Sequence, residues 1–229
     1  IKHIMICGCY HMKFKNATKD LDLKSNERLF LKKKSPFAPM HYKDLKPKGL
    51  KIFTFYSGFK KKNDDLLIIV FDQIVRVACN YSLTTTPSAP IIWDKKNNQG
   101  SCKALIVNSG NANAHTGKKG IKNIDKYTKT ISRLLNCSIK EILVSSTGVI
   151  GESLNPNLIC EQLKILKSSK EKKIIDAAKS IWTTDTFVKT SVHNLKIDKI
   201  NIKLYGFAKG SGMISPNMGT MLAYIFIDC

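Results

Sequence analysis

From Gly49 onward, short β-branched and aromatic runs alternate with segments of helical spacing, and this alternation restricts the chain to an α/β fold. Residues 51–57 and 65–72 read as strands, joined by a polar hairpin over 60–64. Residues 103–107 and 142–145 form two further short apolar runs. Between them, Ile124, Tyr127, Ile131, Leu134 and Leu135 recur at helical spacing over 123–135. Ser138 precedes Glu141 by three positions, the spacing of a capping box. Residues 157–167 and 171–182 predict helices, and 196–207 alternate as strands. No internal repeat is present. The predicted fold is α/β, with mixed sheets and packed helices.

Two regions stand outside this pattern. Residues 1–45 carry scattered lysines, the run Lys32, Lys33 and Lys34, and prolines at 36 and 39. Neither a period of 2 nor one of 3.6 persists there, which reads as a poorly ordered basic extension. An organellar targeting segment is disfavoured, because such segments are Arg-rich and acid-poor and this one contains Asp20, Asp22 and Glu27. At the other end, residues 221–227 form an apolar strand that needs a sheet to join. The sequence stops two residues later, as if cut in mid-domain.

The formal charge is +21, which raises nucleic-acid binding as a function. Only three of the 38 basic residues are arginine, namely Arg28, Arg76 and Arg133. Phosphate and base recognition favours the bidentate guanidinium, so the composition argues against that class. A bias toward lysine, isoleucine and asparagine gives the same charge with no polyanion partner. No apolar stretch approaches the ~20 residues that span a bilayer. The seven cysteines are odd in number and form no paired framework, which fits a reducing cytoplasm. Cys7, Cys9 and His11 lack a second ligand pair nearby, and a metal site is not expected.

Four short segments are richer in Gly, Ser and Thr than their surroundings. They are Asn108-Ser-Gly-Asn-Ala-Asn-Ala114, Ser146-Thr-Gly-Val-Ile-Gly151, Thr183-Thr-Asp-Thr-Phe187 and Lys209-Gly-Ser-Gly-Met-Ile-Ser-Pro-Asn-Met-Gly-Thr220. Singly, each reads as a tight turn or a close packing site. Together and in this order they resemble the ornithine acetyltransferase (glutamate N-acetyltransferase) family, over a stretch from about Gly49 to the end that includes Ala89 and Pro90. The last segment resembles that family's self-cleavage site, with a small residue immediately before threonine. Family members often carry alanine where Gly219 stands.

The resemblance implies a precursor that cuts itself between Gly219 and Thr220 and then uses Thr220 as its nucleophile. A threonine hydroxyl is a poor nucleophile with no base beside it. Cleavage frees the Thr220 α-amine, whose ordinary pKa of about 7.7–8.0 suits it to act as that base. The resemblance assigns the oxyanion donors to the Thr147 hydroxyl and the Gly148 backbone N–H, and substrate contacts to Thr186, Lys209 and Thr220. A lysine suits substrates with a free α-carboxylate. The family needs no catalytic histidine, and His115 and His193 read as surface residues.

The implied reaction is acetyl transfer from N2-acetylornithine to glutamate through an acetyl-threonine intermediate, in arginine biosynthesis. No metal or bound cofactor is implied. Whether acetyl-CoA also serves as donor stays open. The implied fold is the family's own self-processing acyltransferase fold, and the implied assembly has two α and two β chains, with no nucleic acid or membrane partner. The corresponding domain reading is an extension over 1–45, an α-chain domain over 46–219 and the start of a β-chain over 220–229. Most of the second chain is lacking, so residues 1–229 alone are expected to be inactive. Two other readings stay open. One is a related self-processing amidase or aminopeptidase with water as acceptor. The other is an inactive basic fragment that binds polyanions.

Overall fold

The computed structural model describes residues 3–8, 47–198, 200–211 and 220–228. In chain order the strands are β1 (His3–Gly8), β2 (Leu50–Phe55), β3 (Leu66–Asn80), β4 (Ser101–Asn111), β5 (Ile142–Val149), β6 (Lys189–Ile197), β7 (Ile200–Lys209) and β8 (Leu222–Asp228). The helices are α1 (Ala89–Asn97), α2 (Gly117–Leu135), α3 (Pro156–Ile165) and α4 (Ile174–Ser180). All eight strands join one mixed sheet in the order β5-β4-β3-β1-β8-β7-β6, with β2 paired to β3 beside that path. The α/β expectation holds.

The central strand β3 runs on well past residue 72, where apolar patterning stops. Its first half pairs with β2, Leu50 opposite Phe71 and Phe55 opposite Leu66. Its second half pairs in parallel with β1, His3 opposite Arg76 and Cys7 opposite Asn80. A register shift against β4 between Val70 and Val75 separates the halves. The expectation of no regular element before residue 45 is therefore corrected for His3–Gly8. That segment gains a ladder on each side, from β3 and from antiparallel β8, and local periodicity cannot record pairing partners so remote. The lysine run, both prolines, Cys9 and His11 lie outside the described residues.

Strand alternation divides the core into two layers. On one face, Leu66 and Ile68 of β3 and Ala104 and Ile106 of β4 pack with Ile124, Tyr127 and Ile131 of α2 and Ile159 and Leu163 of α3. On the other, Leu67, Ile69 and Phe71 of β3 and Leu105 and Val107 of β4 meet Ile174, Ala177 and Ala178 of α4. Tyr205 and Phe207 of β7 and Tyr224 and Phe226 of β8 share this second core. The Phe71 and Phe226 ring centroids lie 6.4 Å apart, and those of Phe207 and Tyr224 5.0 Å apart. Each such fully buried side chain contributes about 1.5–3 kcal/mol.

Local signals explain several element ends. The α2 helix stops where Asn136 takes a left-handed conformation, φ 50°. The capping box at Ser138 and Glu141 forms as its spacing predicts, but it organises a single 3-10 turn leading into β5. Helix α1 escapes the periodicity reading because it buries only Ala89, Pro90, Trp93 and Asp94, one of them charged in type. Both carboxyl oxygens of Asp94 accept the Val144 N–H, at 3.2 and 3.4 Å. Burial pushes that carboxyl well above the usual carboxylate range.

Candidate active site

The Gly- and Thr-rich motifs meet at one end of the sheet because β4 and β5 run parallel in register. Asn108 stands opposite Ser146, Ser109 opposite Thr147 and Gly110 opposite Gly148. The Ser146 hydroxyl donates to the Asn108 side-chain oxygen at 2.6 Å, and the Asn108 amide donates to the Asn111 carbonyl at 2.7 Å. The Ala112 N–H donates to the Val149 carbonyl and the Gly151 N–H to the Ala114 carbonyl. The two segments thus form one hydrogen-bonded platform.

Two glycines in it are required by geometry. Gly148 has φ +132°, and a Cβ there would lie 2.3 Å from the Gly110 carbonyl carbon. Gly110 has φ +105°, and a Cβ there would lie 2.4 Å from the Phe59 carbonyl oxygen. Three backbones stack without side chains between them: residue 59, then 110, then 148. The upper one is shaped by buried Asp65, whose carboxylate accepts the N–H groups of Ser57, Gly58 and Lys60 at 2.7, 3.0 and 2.9 Å.

Lys209, at the end of β7, is only 5% exposed although its side chain is cationic in type. Its Nζ donates to Thr147 Oγ1 at 3.1 Å and to the Thr220 carbonyl at 3.3 Å. Accepting from Lys209 leaves the Thr147 hydroxyl its own proton to donate elsewhere. The antiparallel pairing of Leu222 with Lys209 brings Thr220 to this place, two residues before β8 begins. Thr147 is fully buried and Thr220 half-buried.

The structure therefore brings together Thr147, Gly148, Lys209 and Thr220. Thr186 is exposed, and among the described residues no hydrogen bond ties its side chain to the other four. Gly219 lies outside the described residues. His115 and His193 are exposed. Two neighbours carry no motif signal of their own. Asp185, within Thr183-Thr-Asp-Thr-Phe187, is buried and accepts the Gly210 N–H at 2.8 Å and the Lys189 ammonium. Its second carboxyl oxygen is buried without a hydrogen-bond partner among the described residues. Lys60 donates to the carbonyls of Ser180 at 2.9 Å and Asp64 at 3.3 Å. Asp185 was readable only as part of a quoted motif, and Lys60 sits beside Lys61 and Lys62 with nothing in the sequence to separate it from them.

Fold and site together define a mixed α/β protein whose parallel strand ends present a Thr–Gly pair to a buried lysine and a second threonine. The chain belongs to the ArgJ family: the model of that family matches residues 51–229. Among curated relatives, the arginine biosynthesis bifunctional protein ArgJ of Bradyrhizobium diazoefficiens is 39% identical over 198 residues, 85% of this chain and 48% of that protein. The protein of the same name from Caldanaerobacter subterraneus is 36% identical over 184 residues, 80% of this chain and 46% of its own length. The chain spans about half the length of the curated relatives it matches. A crystal structure of the Bacillus halodurans arginine biosynthesis bifunctional protein matches with a TM-score of 0.68 at 31% identity, over 75% of this chain and 92% of that one. Ornithine acetyltransferase of Mycobacterium tuberculosis, solved in complex with ornithine, shares the fold with a TM-score of 0.62 at 23% identity, over 76% and 94%. The family expected from the four motifs is the family found.

Proposed function

We propose that this chain is the nucleophile-bearing part of an acetyltransferase that moves acetyl from N2-acetylornithine to glutamate in arginine biosynthesis. The observation that carries this reading is the Lys209 ammonium, buried between the Thr147 hydroxyl and the Thr220 carbonyl. A cation and an oriented hydroxyl beside a threonine form a setting for negative charge developing on a carbonyl oxygen.

Self-cleavage opens the sequence. Thr220 Oγ attacks the Gly219 carbonyl carbon, the C–N bond breaks, and the hydroxyl proton passes to the departing amine. Water then hydrolyses the resulting ester, leaving a Gly219 carboxylate and a free Thr220 amine and hydroxyl. In transfer, Thr220 Oγ attacks the acetyl carbonyl of acetylornithine. The Thr220 amine takes the hydroxyl proton and hands it to the leaving ornithine amine. The glutamate amine next attacks the acetyl ester, and the hydroxyl is restored. Thr147 Oγ1–H and the Gly148 N–H donate to the oxyanion in each half-reaction. Lys209 and Thr186 contact substrate.

No metal or resident cofactor has a part in this scheme, and acetyl-CoA is an alternative donor to be assayed. For the full gene product, the family resemblance implies an assembly of two α and two β chains. The odd cysteine count supports a reducing compartment, the cytoplasm.

Intact-mass analysis of the full gene product tests the first step. Two fragments meeting between 219 and 220, and a single uncut chain for Thr220→Ala, are expected. An uncut wild-type chain overturns the reading. Product analysis with and without glutamate then separates transfer from hydrolysis by a related amidase.

A further inference from the structure

Lys60 is half-buried on the loop between β2 and β3, and its ammonium is spent on two main-chain carbonyls. One of them, Ser180, closes α4, where unpaired carbonyls and the negative end of the helix dipole favour a cation. The same carbonyl accepts the Ser109 hydroxyl, one residue from Gly110. Beyond Ser180 the chain turns through Trp182, whose indole N–H donates to the Asp185 carbonyl. The Asp185 carboxylate then holds the Gly210 N–H, next to Lys209. A continuous run of contacts leads from Lys60 to the lysine that touches both Thr147 and Thr220.

We propose that Lys60 is a positioning residue for the acyl-transfer site: by fastening Ser180 it fixes the 181–187 segment, through which Asp185 holds Gly210 and so sets the place of Lys209. The inference rests on the function proposed above for its catalytic meaning, and on the contacts alone for its mechanical one. The charged groups facing Lys60 are Asp64 and Asp65 on its own loop and Lys209 from β7. Burial is the largest influence and, with Lys209, lowers its pKa to about 8 against the pull of the two aspartates. A lysine released to solvent returns to its ordinary value of 10.5. Rising pH between those values therefore favours the fastened state over the released one.

Hydrogen exchange of residues 1–229 at pH 7 tests the mechanical claim. In Lys60→Met, peptides covering 181–187 and 207–211 should exchange about tenfold faster, while those of β3 and β4 stay unchanged. Lys60→Arg, which keeps a cation able to reach a carbonyl, should recover most of the protection. Unchanged exchange in Lys60→Met overturns the proposal, and so does a uniform loss across the molecule, which would make Lys60 a general stabiliser. A second readout is acrylamide quenching of Trp182 fluorescence in a Trp93→Phe background. Quenching should fall as pH rises from 8 to 10 with Lys60 present and stay flat with Lys60→Arg; a fall in both overturns the proposal. Acetyl transfer by the same variants of the full gene product should show a lowered kcat in Lys60→Met, partly rescued in Lys60→Arg. Absent transfer in the wild type beside a local exchange effect would remove the proposed function and leave the positioning role standing.

Discussion

A Cβ at Gly148 would run into the Gly110 backbone, and one at Gly110 would run into the Phe59 carbonyl. Gly148→Ala should cost about 2–4 kcal/mol, from a forbidden φ plus overpacking, read as a lowered urea midpoint of residues 1–229. Asp94 makes an opposite kind of prediction. Its carboxyl is held well above 3.8, so the native state binds its proton where the unfolded chain has lost it. Stability from this residue is present below about pH 3.8 and falls as pH rises through the raised folded value. Asp94→Asn should flatten that decline and raise stability at pH 7, measured by urea midpoints across pH 4 to 8. At this scale the sequence singled out Thr147, Gly148, Lys209 and Thr220 by their places in four ordered motifs, and the structure brings these four together. Lys60 and Asp185 were not readable as site neighbours, because their places depend on carbonyls and N–H groups contributed by distant loops, which any residue type can supply.

At the scale of elements, the strand after Thr220 anchors the site. Tyr224 and Phe226 of β8 are fully buried against β7 and β3, so Thr220 leads directly into a strand that packs. Phe226→Ala should cost about 3–5 kcal/mol through the cavity it leaves. Chemical denaturation of residues 1–229 reads that loss. Strand and helix identity was largely legible, since β2, β4, β5 and β8 contain apolar runs and α2 follows its helical period. The far half of β3 was not. Residues 72–74 are exposed and interrupt the apolar run, and the alternating stretch beyond them, Val75–Asn80, is joined to the first half by its pairing with β1 and β4. Strand β1 was not legible either.

The whole molecule adds what no local pattern carries. The sheet order places β1 between β3 and β8, which joins the two halves of the fold through a strand remote in sequence from one of its partners. Purified residues 1–229 are expected to show no acetylornithine-to-glutamate transfer, because the curated relatives are about twice as long as this span. Turnover by residues 1–229 alone would place the complete substrate site within them. The charge of +21 is conspicuous in the composition, and among the described residues Lys60, Lys189 and Lys209 are the lysines bonded at or beside the site.

The register of β1 with β8 pairs residue 3 with residue 227. Contacts of that sequence separation close late in folding, after the local helices and hairpins have formed. The Thr220 carbonyl meets Lys209 only where β8 has docked. Under the proposed function, order of assembly acts as a clock: Thr220 and Lys209 stay apart until β8 pairs with β7, and the proposed cleavage before Thr220 waits for that pairing.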